Sequence, residues 1–277
     1  MEMDGTIDAL SAHVPQTQYG TYKGEDGLEY CNNCHTRVQC RVDFLGKEKI
    51  VCCICKCRND WLEAQKKEKE QREFEDTVRD LRKMGFIDAP LRNCTFENAD
   101  KGSEVTLSPM HQYVDNFADF KRRGVGLLLY GRVGTGKTYA AACVANALID
   151  CGHSVLMTNF MRVYNELQGK FDGRQEYLDR MNHFELLIID DLAAERNTET
   201  MQELVFNVID NRCRAQKPMI ITTNLTAQEL KNPQTQREAR IYDRLIGCCV
   251  PVEINGSSHR RGRATDELKR DRKVLGL

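Results

Sequence analysis

Short apolar runs recur along the second two-thirds of the chain, each closed by a glycine or a polar residue. Gly126-Leu127-Leu128-Leu129-Tyr130, Leu186-Leu187-Ile188-Ile189 and Pro218-Met219-Ile220-Ile221 are continuous rather than alternating. Runs of this kind mark strands buried on both faces, as in parallel sheets. With stretches at 154–158 and 249–254 they predict five parallel strands separated by helices. The Ala-rich segment from Tyr139 to Leu148, stopping near Gly152, is one such helix. Upstream the pattern changes. From Arg58 to Lys83 charges of both signs alternate densely, with Phe74, Val78 and Leu81 at i, i+4 and i+7. Glu63/Lys67, Glu68/Arg72 and Glu75/Arg79 sit four apart in the favourable order. This predicts a helix with a narrow apolar stripe ending near Gly85, a solvated connector or, alternatively, a helix that binds a partner. The segment 89–96 then breaks the pattern.

Composition adds limits. An apolar fraction of 41% and a charged fraction of 29% are those of a soluble globular protein, with length for one large domain or two unequal ones. The longest apolar runs fall short of a membrane span. Met1-Glu2-Met3-Asp4-Gly5 lacks an apolar signal core, so the expected location is cytoplasmic. A net charge of −1 does not mark a strongly basic nucleic-acid binder. The carboxy-terminal Arg260, Arg261, Arg263, Lys269, Arg270, Arg272 and Lys273 would still suit phosphates, or simply form a solvated helix end.

Of 13 cysteines, seven fall between Cys31 and Cys57, and clustering in a reducing compartment points to metal rather than disulfides. Cys31-Asn-Asn-Cys34 presents two thiolates, and a second pair would complete a four-cysteine centre for Zn2+. That pair must come from Cys52, Cys53, Cys55 and Cys57; the expectation here is Cys53 and Cys55, with Cys57 next. Arg37-Val38-Gln39 and Lys49-Ile50-Val51 read as the strands of a zinc ribbon. An iron–sulfur cluster would use the same ligands. The expected organisation is a zinc module over 1–57, a charged helical linker over 58–90 and an ATPase domain over 91–277.

Residues 131–138, Gly-Arg-Val-Gly-Thr-Gly-Lys-Thr, fit G-x-x-x-x-G-K-[ST] between a strand and a helix, the context the phosphate-binding loop requires. Gly131, Gly134, Thr135 and Gly136 would curl backbone N–H groups around ATP phosphates. Lys137 would reach the β- and γ-phosphates, Thr138 would hold Mg2+, and Tyr139 continues the loop into the helix. Asp190 and Asp191 close an apolar strand at its carboxyl end, where α/β sheets place their chemistry. Asp190 takes the Mg2+-holding Walker B role. Asp191 stands where a glutamate often polarises the attacking water; Glu195 is a second candidate base. Asn224, after the 218–223 strand, is placed as a sensor of the γ-phosphate or lytic water. Arg240 and Arg244 share a helical face and suit an arginine finger reaching a neighbouring subunit's ATP, with Arg244 as the finger; the alternative is a salt-bridging surface. Arg260, in Ser257-Ser258-His259-Arg260, would sense the γ-phosphate. A P-loop NTPase fold of the AAA+/ASCE type, α/β with a five-stranded parallel sheet, follows.

With these residues in place, residues 91–263 resemble the DnaC/DnaI-type replicative helicase loaders and their relatives, the IstB-type transposition helper ATPases. The resemblance rests on residues 131–138, 187–192 with Glu195, Thr222-Thr223-Asn224, Arg240/Arg244 and Ser258-His259-Arg260. It extends to the cysteine-rich amino terminus, the charged helix and Asn93-Cys94-Thr95-Phe96. It implies a slow, Mg2+-dependent, assembly-stimulated ATPase that binds the hexameric replicative helicase and helps place it on single-stranded DNA. It further implies that the amino-terminal module grips the helicase, and that the ATPase module contacts DNA and self-associates. Lys170 and Arg174 lie where such loaders carry DNA-binding elements; Phe160 or Phe171 would stack on a base or, as is commoner for aromatics at helical spacing, belong to the core. The alternatives are a transposition helper on duplex DNA and a nucleotide-gated adaptor with little turnover.

Overall fold

The computed structural model describes residues 17–44, 46–86, 88–100, 104–167, 174–192, 198–256 and 272–275. The chain divides into two compact units, Met1–Glu75 and Asp76–Leu277. This division falls inside a helix, whereas composition alone placed boundaries after residues 57 and 90.

The first unit holds two antiparallel hairpins, β1 (Thr21–Lys23) with β2 (Glu29–Cys31) and β3 (Gln39–Phe44) with β4 (Lys47–Cys52). The expected strand at 37–39 begins only at Gln39, and Arg37 joins through an isolated bridge to Tyr30. Cys31, Val38 and Cys55 are its buried cluster, with Cys34 and Cys57 against them. A core so small cannot hold a fold by apolar burial alone, which gives the cysteines structural weight.

Helix α1 (Lys56–Gly85) gives residues 56–75 to the first unit and 76–85 to the second. Arg72 pairs with Glu68 at 2.5 Å, as the spacing anticipates. Glu75, however, accepts from Gln71, and Arg79 pairs with Asp76. Such surface pairs contribute a few tenths of a kcal/mol each, up to about 0.5. Of the apolar stripe, Val78 and Leu81 pack on the core of the second unit while Phe74 is exposed. The last ten residues of the helix, 76–85, therefore pack within the second unit. Gly85 makes this fit: a Cβ there would lie 2.5 Å from the Val155 carbonyl oxygen.

After a 3-10 turn (Ala89–Asn93), the second unit runs through α2 (Glu104–Asp115), α3 (Phe117–Arg123), β5 (Gly126–Tyr130), α4 (Lys137–Asp150) and β6 (Val155–Asn159). It continues through α5 (Phe160–Leu167), α6 (Arg174–His183), β7 (Leu186–Leu192), α7 (Glu199–Arg214) and β8 (Met219–Thr223). The last elements of the sheet domain are α8 (Ala227–Lys231), α9 (Gln236–Cys248) and β9 (Cys249–Glu253). The five strands form one parallel sheet in the order β6-β7-β8-β5-β9. This is the anticipated α/β class, and β8 lies in the sheet between β5, which leads into the phosphate loop, and β7, which carries the paired acids.

Alternate residues of each apolar run feed opposite cores. Leu127, Leu129, Ile188 and Ile220 pack with α2 and α4; Leu128, Leu187, Ile189 and Ile221 pack with α7 and α9. Both faces are covered, so the runs have no polar alternation. One buried charge crosses this core. The Arg212 guanidinium donates to Pro218 O (3.0 and 3.2 Å), Glu185 O (3.0 Å) and Met181 O (3.3 Å). It thereby ties the end of α6 to the starts of β7 and β8, and burial lowers its pKa to about 10. Among the described residues no helix is long and apolar enough to cross a membrane.

Candidate functional site

The loop between β5 and α4 is shaped by glycine. Gly131 has φ 144°, and a Cβ there would stand 2.5 Å from the Ile254 carbonyl oxygen. Gly136 caps α4 in the left-handed region at φ 98°, which aims the helix's first N–H groups into the loop. Thr135 is buried and donates to Arg132 O at 2.9 Å, closing the turn. Lys137 is buried too, and its ammonium donates to Gly131 O and Arg132 O at 2.9 Å each. Tyr139 continues the loop into α4, and its side chain reaches the segment before the domain. Its hydroxyl donates to Thr95 O at 2.8 Å, and Asn146 donates to Leu91 O and Cys94 O. These two side chains of α4 hold down the segment leading into the domain.

Strand β7 brings the acids to this loop through a bulge. Ile189 pairs with Ile221 and Leu192 with Thr223, so Asp190 and Asp191 together face Thr222. Asp191 sits at φ 58°, a left-handed conformation uncommon outside glycine, and the two carboxylates are thereby aimed apart. Asp190 accepts from Thr138 Oγ1 at 2.9 and 3.0 Å and from Thr222 Oγ1 at 2.5 Å. Burial raises its pKa above the usual 3.8, with the Asp191 charge adding to this and Thr222, Thr138 and Lys137 opposing it. Thr138 and Asp190 thus meet, a hydroxyl beside a carboxylate, which are hard oxygen donors of the type Mg2+ takes. Asp191 is exposed, and Asn224, just past β8, lies 3.5 Å from its Oδ1.

Arg240 and Arg244 share α9 and are exposed. Arg244 is engaged within its own chain: its Nε lies 3.0 Å from Asp210 Oδ1, while Arg214 Nε lies 2.7 Å from the other oxygen. Arg260, Glu195, Lys170 and Phe171 lie outside the described residues, as does the Arg174 side chain. Phe160 is buried in the apolar core and is not a stacking surface.

In the first unit the thiols of Cys31, Cys34, Cys55 and Cys57 lie within 4.8 Å of one another. Cys57 stands where Cys53 was expected. Cys53 N–H still extends the hairpin by donating to Val38 O, and its thiol, pushed up to about 11 by burial, neighbours Cys40. The chain turns inward only beyond Ile54, so the pair that converges is Cys55 and Cys57 at the start of α1. Cys31 and Cys57 sulfurs are 3.6 Å apart and those of Cys55 and Cys57 3.2 Å. A tetrahedral Zn2+ with Zn–S of about 2.3 Å separates its sulfurs by about 3.8 Å, so the set fits. The Thr36 hydroxyl, against the effect of burial, brings Cys34 down to about 5. Burial and the thiols of Cys55, Cys31 and Cys34 drive Cys57 up to about 12. Crowded thiols of this kind all ionise when a divalent cation joins them.

The family model described as "IstB-like ATP binding protein" matches residues 59–266. The replicative helicase loader DnaI of Bacillus subtilis is 24% identical over 93% of this chain and 84% of its own length. The replicative helicase loader DnaC of Escherichia coli is 25% identical over 61% of this chain and 70% of its own. A crystal structure of DnaI superposes with a TM-score of 0.54 at 23% identity, covering 64% of this chain and 98% of that one, a likeness of fold.

Proposed function

The chain belongs to the IstB-like ATP binding protein family, and from that premise we propose that it is an ATP-dependent loader which binds a hexameric replicative helicase and helps place it on single-stranded DNA. One observation carries this reading: similarity to a named helicase loader runs through 93% of the chain, the cysteine unit included, and does not stop at the ATPase fold.

In this reading the loop N–H groups and Lys137 bind the ATP phosphates, Lys137 exchanging the Gly131 and Arg132 carbonyls for phosphate oxygens. Thr138 and Asp190 hold Mg2+, which neutralises phosphate charge when bound. Asp191 and Asn224, facing each other, orient the attacking water, and Arg260 contributes from the carboxy-terminal side. Arg244 of one copy, supported by Arg240, answers the charge on a neighbour's ATP. To do so it leaves Asp210, so closing the interface is favourable only when the triphosphate offers more than the intramolecular pair. That difference between nucleotide states is what a switch requires. Cys31, Cys34, Cys55 and Cys57 hold Zn2+ and give the first unit a rigid surface for the helicase. The chain acts in the cytoplasm, where the helicase and its DNA are found.

Native mass spectrometry of the protein mixed with its host's replicative helicase, with and without ATP, tests the proposal. A discrete helicase–loader species that forms with ATP and is lost with Cys31→Ser/Cys34→Ser supports it. Absence of any complex would transfer the reading to a transposition helper or an adaptor.

A further inference from the structure

The bulge that aims Asp190 at Thr138 lacks the regular ladder of a parallel pair, and two buried threonine hydroxyls take the ladder's place. Thr222 and Thr223 are both fully buried on β8. Thr222 Oγ1 accepts from the Asp191 N–H at 2.9 Å and donates to Asp190 Oδ1 at 2.5 Å. Thr223 Oγ1 donates to Leu192 O at 2.9 Å and accepts from the Leu225 N–H at 3.2 Å. A hydroxyl has one proton to donate, and each of these is directed at the opposing strand. The two roles differ. Thr223 fixes the strand beyond the bulge, while Thr222 alone touches both the backbone of the bulge and the carboxylate it displays. Valine in place of Thr222 would keep the shape, leave the Asp191 N–H unpaired and free Asp190 Oδ1 of one of its two hydroxyl donors, Thr138 remaining the other.

We infer that Thr222 is a positioning residue for the divalent cation: its hydroxyl sets the Asp190 carboxylate in the orientation that receives Mg2+ together with Thr138, and couples that orientation to the β8 end that carries Asn224. This rests on the ATP-site reading above. Partners that orient a metal's carboxylate ligand typically change metal affinity about 10- to 100-fold when removed. Asn224 follows Thr222 by two residues on the same strand end, so a displacement there is transmitted to Asp190 through one hydrogen bond.

Fluorescent ATP-analogue binding to the full chain, titrated with Mg2+, reads this directly. Thr222→Val raises the half-saturating Mg2+ concentration about 10- to 100-fold while affinity in the absence of Mg2+ stays at the wild-type level. Thr222→Ser, which keeps the hydroxyl, restores the wild-type value. Thr223→Val, which removes no bond to Asp190, leaves it unchanged within about two-fold. If the valine chain fails to fold by circular dichroism, Thr222→Ala replaces it. A folded hydroxyl-free variant with wild-type Mg2+ dependence would overturn the inference, as would failure of serine to rescue or an equal shift from Thr223→Val. Wild-type protein that binds the nucleotide with no response to Mg2+ would instead refute the assignment of Thr138 and Asp190 as the cation's ligands.

Discussion

Replacing Arg212 by methionine removes four N–H···O bonds from the middle of the second unit while roughly preserving side-chain reach. The carbonyls of Met181 and Glu185 lose the guanidinium donor, while Pro218 O keeps the Leu187 N–H at 3.4 Å. A buried polar group left unpaired costs about 1–3 kcal/mol, so two give roughly 2–6 kcal/mol. Part returns because the variant no longer buries a charge, the burden that lowers the arginine's pKa to about 10. A net destabilisation of about 3 kcal/mol remains. In a unit of this size each kcal/mol shifts Tm by about 2–4 °C, so calorimetry on the full chain should show a fall of roughly 6–12 °C. Arg212→Lys fares little better, since the three donors of an ammonium radiate from one nitrogen and lack the spread, planar fork of the guanidinium. A Tm for Arg212→Met within about 2 °C of wild type would refute the reasoning, because it would mean these carbonyls are satisfied without the guanidinium.

Other consequences can be measured alongside. Cys57→Ser lowers bound zinc and exposes the first unit to limited proteolysis, whereas Cys53→Ser leaves zinc content intact; equal losses would contradict the ligand set. Glu185 behaves as an acid-sensitive tie. Burial would raise its carboxyl, but Lys121 and His153 outweigh that and hold it below the usual 4.5. Its contribution is therefore complete above that value and is lost as pH falls through the lowered pKa. Thermal melts across this window should fall more steeply for wild type than for Glu185→Gln, and parallel curves would show the tie to be inert. Lys137→Ala abolishes ATP binding by the isolated chain. Arg244→Ala keeps that binding but lowers turnover in the assembled protein on the order of a thousand-fold, seen by comparing dilute and concentrated enzyme. Unchanged turnover would remove Arg244 from the mechanism.

The parts readable from sequence are those whose signal is local. Leu127–Leu129 and Leu186–Ile189 lie between two cores, so each strand announces itself as an unbroken apolar run. The glycines of the phosphate loop are demanded by backbone geometry at Gly131 and Gly136 and are therefore visible as a motif. What escapes depends on tertiary position. The choice of Cys57 over Cys53 follows from where a hairpin ends and a helix begins, a boundary that four closely spaced cysteines do not reveal. Phe74, Val78 and Leu81 share a helical stripe, but the apolar core accepts only the last two. Helices α2 and α3 carry no strong periodicity around Pro109. The bulge at Asp190 and Asp191 is invisible because the two acids read as the close of the strand, and only the pairing with β8 shows that it runs on to Leu192 with an extra residue. Arg212, on a helix with charged neighbours, reads as a surface residue and is buried.

The most direct measurement of the central claim is loading of the host's hexameric helicase onto closed circular single-stranded DNA, onto which a closed ring cannot thread from an end. Helicase retained on the circles after a high-salt wash is counted with the wild-type chain, with Lys137→Ala and with no addition, each in ATP. The account predicts retention with wild type and background levels in the other two. Equal retention in all three would contradict it.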